Sequence, residues 1–81
     1  MRIDKYLWCI RLFKTRSLAT NACKKGHVKL AEAIVKPSKE LFGNEIIKVR
    51  KNQINYQIKV LDLPESRVGA KLVDLYRKDV T

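Results

Sequence analysis

The apolar residues of this chain change their spacing at Gly26, and that change limits the folds open to it. Before Gly26, Ile3, Leu7 and Ile10 recur at i, i+4 and i+7, the stripe of a helix with a buried side. After it, Val28 and Leu30 alternate with His27 and Lys29. Farther on, Ile54, Tyr56, Ile58 and Val60 alternate with Asn55, Gln57 and Lys59, the period of a strand with one covered face. Helices first and strands afterwards, within 81 residues, predict an α+β domain whose elements are segregated along the chain.

The first helix is expected over Arg2 to Phe13, with Tyr6 and Phe13 flanking the stripe, Trp8 and Leu12 as a second apolar pair, and Trp8 assigned to the core. Lys14-Thr15-Arg16 interrupts that pattern. Ser17 is the expected N-cap of a second helix from Leu18 to Lys25, whose small residues Ala19, Ala22 and Cys23 let it lie close to the first. Gly26 ends it, because glycine takes a left-handed conformation without steric cost. Short extended pieces follow at Val28–Leu30 and at 33–36, before Pro37. A hairpin is expected from Glu45–Arg50 and Ile54–Val60 around Lys51-Asn52. A terminal helix is expected over 68–78, with Val68, Leu72 and Leu75 closing the core, although Gly69 weakens it. The expectation is one domain over 1–81, with its core in 2–60, as a monomer: two helices on a small, mainly antiparallel sheet, plus a C-terminal helix.

Charge narrows the function. The net charge is +10, and it is lopsided: residues 1–30 hold eight basic residues and one acid, residues 31–81 ten and seven. Such a field points to a polyanion, nucleic acid first and an anionic membrane surface second. No apolar run is long enough to span a bilayer. Arg2, Asp4, Lys5 and Arg11 deny the N-terminus a signal-peptide core, and two cysteines make no disulfide framework, so a reducing cytoplasm is expected.

From Lys5 to Ala31 there are seven Lys or Arg and no acid. Lys14, Thr15, Arg16 and Ser17 fall where the second helix begins. Unpaired N–H groups and a partial positive charge attract phosphate at such an end. Lys24 and Lys25 suit the dipole of the helix C-terminus, whereas Lys14 and Arg16 oppose it at the other end, which argues for an anionic ligand. Ser17, Thr20, Asn21 and Lys24 share one polar face, and Lys25 and Lys29 extend the basic surface past Gly26. If about six of these residues meet phosphates, the salt slope is roughly −4 to −5. The mostly polar surface fits the backbone and minor-groove edge of folded RNA better than a DNA major groove.

Three rivals carry less. Cys9, Cys23 and His27 are too few for a structural zinc site, and Cys23 with His27 is a poor nucleophile pair. There is no glycine-rich phosphate loop and no carboxylate pair in a catalytic frame, so no enzyme, metal or cofactor is expected. A docking helix built on Val68, Leu72, Leu75 and Tyr76 would make the chain a protein-interaction adaptor. Membrane binding needs an exposed apolar face beside the cations, and those apolar residues are claimed by the core.

The runs RIDKYLW, KTRSLATNACKKGHVKL and VKP, in this order, resemble the RNA-binding domain named after ribosomal protein S-four, the αL motif. The resemblance covers residues 2 to about 60. It is nearest to the branch of the small ribosome-associated heat-shock protein fifteen and the quality-control factor RqcP. It implies a stand-alone protein on ribosomal RNA of the large subunit, aiding recycling or quality control of subunits obstructed by a nascent chain on its tRNA. By the motif match, the RNA surface comprises Arg2, Lys5, Arg11, Lys14, Thr15, Arg16, Ser17, Thr20, Lys24, Lys25, His27 and Lys29, with Lys36 at its rim. Asn21 and Gly26 complete the candidate set. Where the family has an Asn-Gly turn, this chain has Ala31-Glu32, which predicts a longer turn or a lost loop contact. The basic C-terminal tail of some relatives is short here, which leaves contact with tRNA itself open.

Overall fold

The computed structural model describes residues 1–80. Helices α1 (Ile3–Cys9) and α2 (Arg16–Lys24) come first. Strands β1 (Val28–Leu30), β2 (Ala33–Ile34), β3 (Ile46–Lys51) and β4 (Ile54–Val60) follow, then a 3-10 helix over Ala70–Leu75 and strand β5 (Arg77–Asp79). The five strands form one sheet, ordered β2-β1-β3-β4-β5, with every pair antiparallel. The α+β class stands.

The period of two decides which face is covered. Val28 lies opposite Val49, Leu30 opposite Ile47, and Ile47 opposite Ile58, and all five are buried. Ile3, Tyr6, Leu7 and Ile10 of the α1 region and Ala19, Ala22 and Cys23 of α2 join them in one core. Burying each large aliphatic side chain there contributes about 1.5–3 kcal/mol. Cys9 and Cys23 are buried free thiols. The loop after β2 pins the start of α1: Ile3 N donates to the Lys39 carbonyl at 2.8 Å and Leu41 N to that of Met1 at 2.8 Å. Trp8 departs from expectation. It is half-buried and lies under the Arg67 guanidinium, 5.3 Å from the ring centre, outside the core cluster.

Both helices end in the same motif. In α2, Gly26 N donates to Cys23 O and His27 N to Ala22 O, with Gly26 at φ +77°. A side chain there would also press on Ile34, 3.3 Å from the position a Cβ would take. In α1, Arg11 N donates to Trp8 O and Leu12 N to Leu7 O, with Arg11 at φ +63°. These are Schellman pairs. So α1 stops at Cys9 rather than running to Phe13, and three cationic side chains fasten the peptide beyond it. Arg11 Nε reaches Val68 O at 2.7 Å, Lys51 Nζ reaches Leu12 O at 2.6 Å, and Arg67 Nη2 reaches Phe13 O at 3.5 Å.

Two further expectations are corrected. The Ala31-Glu32 turn is not lengthened. Leu30 pairs with Ala33 directly across a two-residue turn, with φ of +52° and +67°. Those angles are the left-handed ones that Asn-Gly favours, and here two ordinary residues adopt them. The continuous C-terminal helix is replaced by the short 3-10 helix and β5. The exposed edge of β4 supplies hydrogen bonds that a helix would not use: Val60 pairs with Arg77 and Ile58 with Asp79. The Tyr6 hydroxyl donates to Tyr76 O at 2.8 Å, and burial raises its pKa well above the usual phenol value against a weaker opposing pull from Arg77. Only Val68 and Val73 of this segment enter the core, while Leu72 and Leu75 are 53% and 64% exposed.

Candidate nucleic-acid interface

Helix α2 begins two residues earlier than its sequence suggested. Thr15, not Ser17, is the N-cap: its hydroxyl accepts from Leu18 N at 3.1 Å. Lys14 therefore precedes the cap, Arg16 opens the helix, and Ser17 lies exposed in its first turn. No acid occupies that turn, so nothing on α2 itself offsets the positive end of the dipole.

The charge that organises this end comes from the other helix. Asp4 is 1% exposed. Its Oδ1 accepts from Arg2 Nε at 3.2 Å and from Lys5 N at 2.7 Å. Its Oδ2 accepts from Arg2 Nη2 at 3.0 Å and from the Thr20 hydroxyl at 2.9 Å. Arg16 Nη2 stands 3.6 Å from Oδ1. One buried carboxylate thus orients two guanidinium groups whose side chains remain 49% and 45% exposed. Arg2 is held by two hydrogen bonds and Arg16 by its charge alone, and the half of each side chain that stays open offers guanidinium N–H donors of a geometry that matches phosphate. Thr20 is turned inward to Asp4 and to the Arg16 carbonyl, 3.0 Å away, so it belongs to the scaffold and not to the exposed polar face expected of it.

A second group lies where α2 meets the end of the sheet. Lys14, Asn21, Lys25, His27, Arg50 and Asn52 line an open depression of about 730 Å³. Gly26, His27 and Lys29 border a second one, of about 400 Å³, on the sheet. Lys24 is exposed in the last turn of α2. Among the expected residues, the side chains of Arg2, Arg16 and Thr20 gather on Asp4, with Lys5 meeting it only through its backbone N–H, whereas Lys14, Asn21, Lys25, Gly26, His27 and Lys29 line the depressions beside α2 and the sheet. Arg11 is exposed but anchors Val68, and Lys36 is exposed in the loop after β2, lining neither depression. Asp4 and Arg50 were missed. Asp4 is the only acid before the cation run, in the first turn of α1. Arg50 occupies an outward position of a period-two strand; both signals were legible.

Burial, with a smaller push from the Asp4 charge, pushes the Cys23 thiol up to about 11, which keeps it protonated at neutral pH, and burial also raises the Cys9 thiol. Among the described residues, no helix is long and apolar enough to cross a membrane.

Known proteins resemble this chain in sequence and in fold. Residues 1–47 match the model of the S4 domain. The chain is 36% identical over 75 residues to a heat shock protein 15 homolog of Aeromonas salmonicida, covering 93% of this chain and 57% of that one. It is 33% identical over 76 residues to the RQC P-site tRNA stabilizing factor of Streptococcus pneumoniae, covering 94% and 86%. The trimeric structure of Vibrio cholerae heat shock protein 15 superposes with a TM-score of 0.93 at 31% identity, covering 99% of this chain and 81% of that one. The chain spans little more than half the length of the heat shock protein 15 homologs it matches.

Proposed function

The chain belongs to the S4 domain family, and on that premise we propose that it is a non-catalytic RNA-binding protein of the large ribosomal subunit. It contacts ribosomal RNA and aids recycling or quality control of subunits obstructed by a nascent chain on its tRNA. The relatives named as P-site tRNA stabilizing factors support the tRNA part of this reading and its setting in the cytoplasm, where ribosomes work.

The observation that carries it is the pair Arg2 and Arg16, held on the buried carboxylate of Asp4 beside the capped start of α2. An ion pair made only for stability gains little at a half-exposed position. A guanidinium pair oriented from behind and open in front is preorganised for an anion. Lys14, Lys24 and Lys25 surround the same helix with exposed ammonium groups.

The test replaces Lys14, Lys24 and Lys25 by Glu and leaves Arg16 in place, because a glutamate there would face Asp4. Co-sedimentation with large subunits is expected to be lost at 100 mM salt while the circular dichroism spectrum is kept. Unchanged co-sedimentation of the folded variant would overturn the proposal. The exposure of Leu72 and Leu75 favours one second reading, an adaptor that docks a protein through the C-terminal segment. Retained capture of a protein partner by the triple variant, with ribosome binding lost, would support it.

A further inference from the structure

Both helices contribute to the core on one face of the sheet, and the opposite face is uncovered. We propose that this open face is a second phosphate-binding surface, which holds the sugar-phosphate chain of a second RNA segment. The inference rests on the reading of the chain as an RNA binder and extends it beyond the helical surface, with which Lys29 and Arg50 are shared.

The register supplies the argument. The outward positions carry Lys29 on β1, Lys48 and Arg50 on β3, Lys59 on β4 and Lys78 on β5. Lys29 lies directly opposite Lys48, and Lys59 directly opposite Lys78. Like charges placed across from one another destabilise a sheet. A face shaped by stability alone would set opposite signs across from one another. Here, among the described residues, the one carboxylate that reaches the face is Glu32 of the β1–β2 turn, which binds Lys48 Nζ. Glu32 offsets part of the Lys29–Lys48 repulsion, whereas no carboxylate among the described residues pairs with Lys59 or Lys78, and the positive excess left on this open surface points to an anion that compensates it.

The neutral neighbours fit the same ligand. Gln57 lies opposite Lys48 and Asn55 opposite Arg50, so amide groups that can serve ribose hydroxyls stand between the cations. Lys29, Lys48, Arg50, Asn55 and Gln57 surround the depression of about 400 Å³. Among the described residues, no strand position on the outward side of the sheet carries an aromatic ring: Tyr56 borders this depression but pairs with Val49 on the covered side and packs partly against the core, and His27 lies at its edge. Without stacking platforms the surface follows backbone and does not read bases. Among the described residues, Ile34 and Ile46 are the apolar outward positions within the strands, too few to enter a bilayer. His27 and Arg50 border both depressions, so the sheet surface adjoins the helical one.

Lysine acetylation read by mass spectrometry tests this, with an RNA of two stem-loops joined by a flexible linker as the probe. The RNA is expected to slow acetylation of Lys29, Lys48, Lys59 and Lys78 as well as of Lys14, Lys24 and Lys25, and to leave Lys71 unchanged. Lys59→Gln with Lys78→Gln is expected to reduce the slope of log K against log salt by about 1.4–1.8, two phosphate contacts' worth, while Lys71→Gln leaves it alone. Protection of Lys14, Lys24 and Lys25 without the sheet lysines would overturn the second surface and spare the first. Protection of none of them would overturn both. Stronger protection of the sheet lysines by phosphatidylglycerol vesicles or polyglutamate than by the RNA would overturn the choice of RNA.

Discussion

At the start of α2 the arginines are held by a buried acid, whereas on the open sheet face the lysines confront one another. Arg2 and Arg16 share Asp4, which lowers their mutual repulsion and fixes their direction. Lys29 and Lys48, like Lys59 and Lys78, are set opposite each other by strand register, and among the described residues the one salt bridge on these four lysines joins Lys48 to Glu32. The first arrangement suits a ligand met in one orientation. The second supplies attraction with little orientation. Phosphate contacts of these two kinds do different work, one setting register and the other adding salt-dependent affinity.

The comparison breaks most visibly at its centre. Asp4→Ala removes an acceptor of four hydrogen bonds, two of them from one guanidinium, and hydrogen bonds to charged groups contribute about 1.5–3 kcal/mol each when net. The arginines left behind are half-exposed and rehydrate, so the expected net loss is about 2–3 kcal/mol, less than for a fully buried pair. Thermal unfolding is expected to shift down by roughly 10–20 °C in a domain of this size. RNA affinity is expected to fall at a temperature where the variant is still folded. An unshifted transition would mean that Asp4 does not organise this end of the molecule.

A smaller effect sharpens the same contrast. Arg16→Lys keeps the charge and loses the fork, so RNA affinity is expected to drop by about 1 kcal/mol, roughly fivefold in Kd. Lys59→Arg keeps the charge where orientation is not needed and is expected to stay within about twofold. Fluorescence anisotropy on one labelled stem-loop RNA measures both. Equal losses, or a larger loss at Lys59, would erase the distinction.

What could be read in advance follows the same division between local and long-range causes. The period change at Gly26, the glycine stop of α2 and the alternation of β4 are local signals; the first two appear where they were expected, and of the expected inward set Ile58 and Val60 are buried and Tyr56 is half-buried, while Ile54 at the start of the strand is 53% exposed. The early end of α1 was hidden because Arg11 occupies the left-handed position that glycine marks in α2. Its support comes from Val68, Lys51 and Arg67, more than thirty-five residues away in sequence. The two-residue Ala31-Glu32 turn was hidden because pairing of β1 with β2 holds both residues at φ values they rarely adopt. The C-terminal pattern Val68, Leu72, Leu75 carries a helical period, but the vacant edge of β4 takes Arg77–Asp79 as a strand. At the site, the cations could be listed from the sequence. The carboxylate that aims two of them could not be paired with Arg16 and Thr20 without the packing of α1 on α2.

Glu32 gives the finest division between the two surfaces. It is fully exposed, and its hydrogen bond and charge pairing with Lys48 hold its carboxyl below the usual glutamate value. A lowered folded-state value means that any stability from the pair is present above the unfolded-state pKa and is lost as pH falls through the folded one. The window therefore lies on the acid side of the ordinary glutamate range, and neutral solutions retain the pair in full. At neutral pH the pair also competes with RNA for Lys48. Glu32→Gln is expected to leave thermal stability nearly unchanged, as exposed ion pairs do. It is also expected to steepen the salt dependence of RNA binding by about 0.7–0.9, one further phosphate contact. The helical surface has no equivalent, because Asp4 is buried and serves to aim its arginines, so removing it weakens binding. Opposite signs for the two acid removals, measured on one RNA across a salt series, are what the division requires. A Glu32→Gln variant that bound more weakly would make Glu32 another aiming carboxylate and join the sheet face to the helical one in kind.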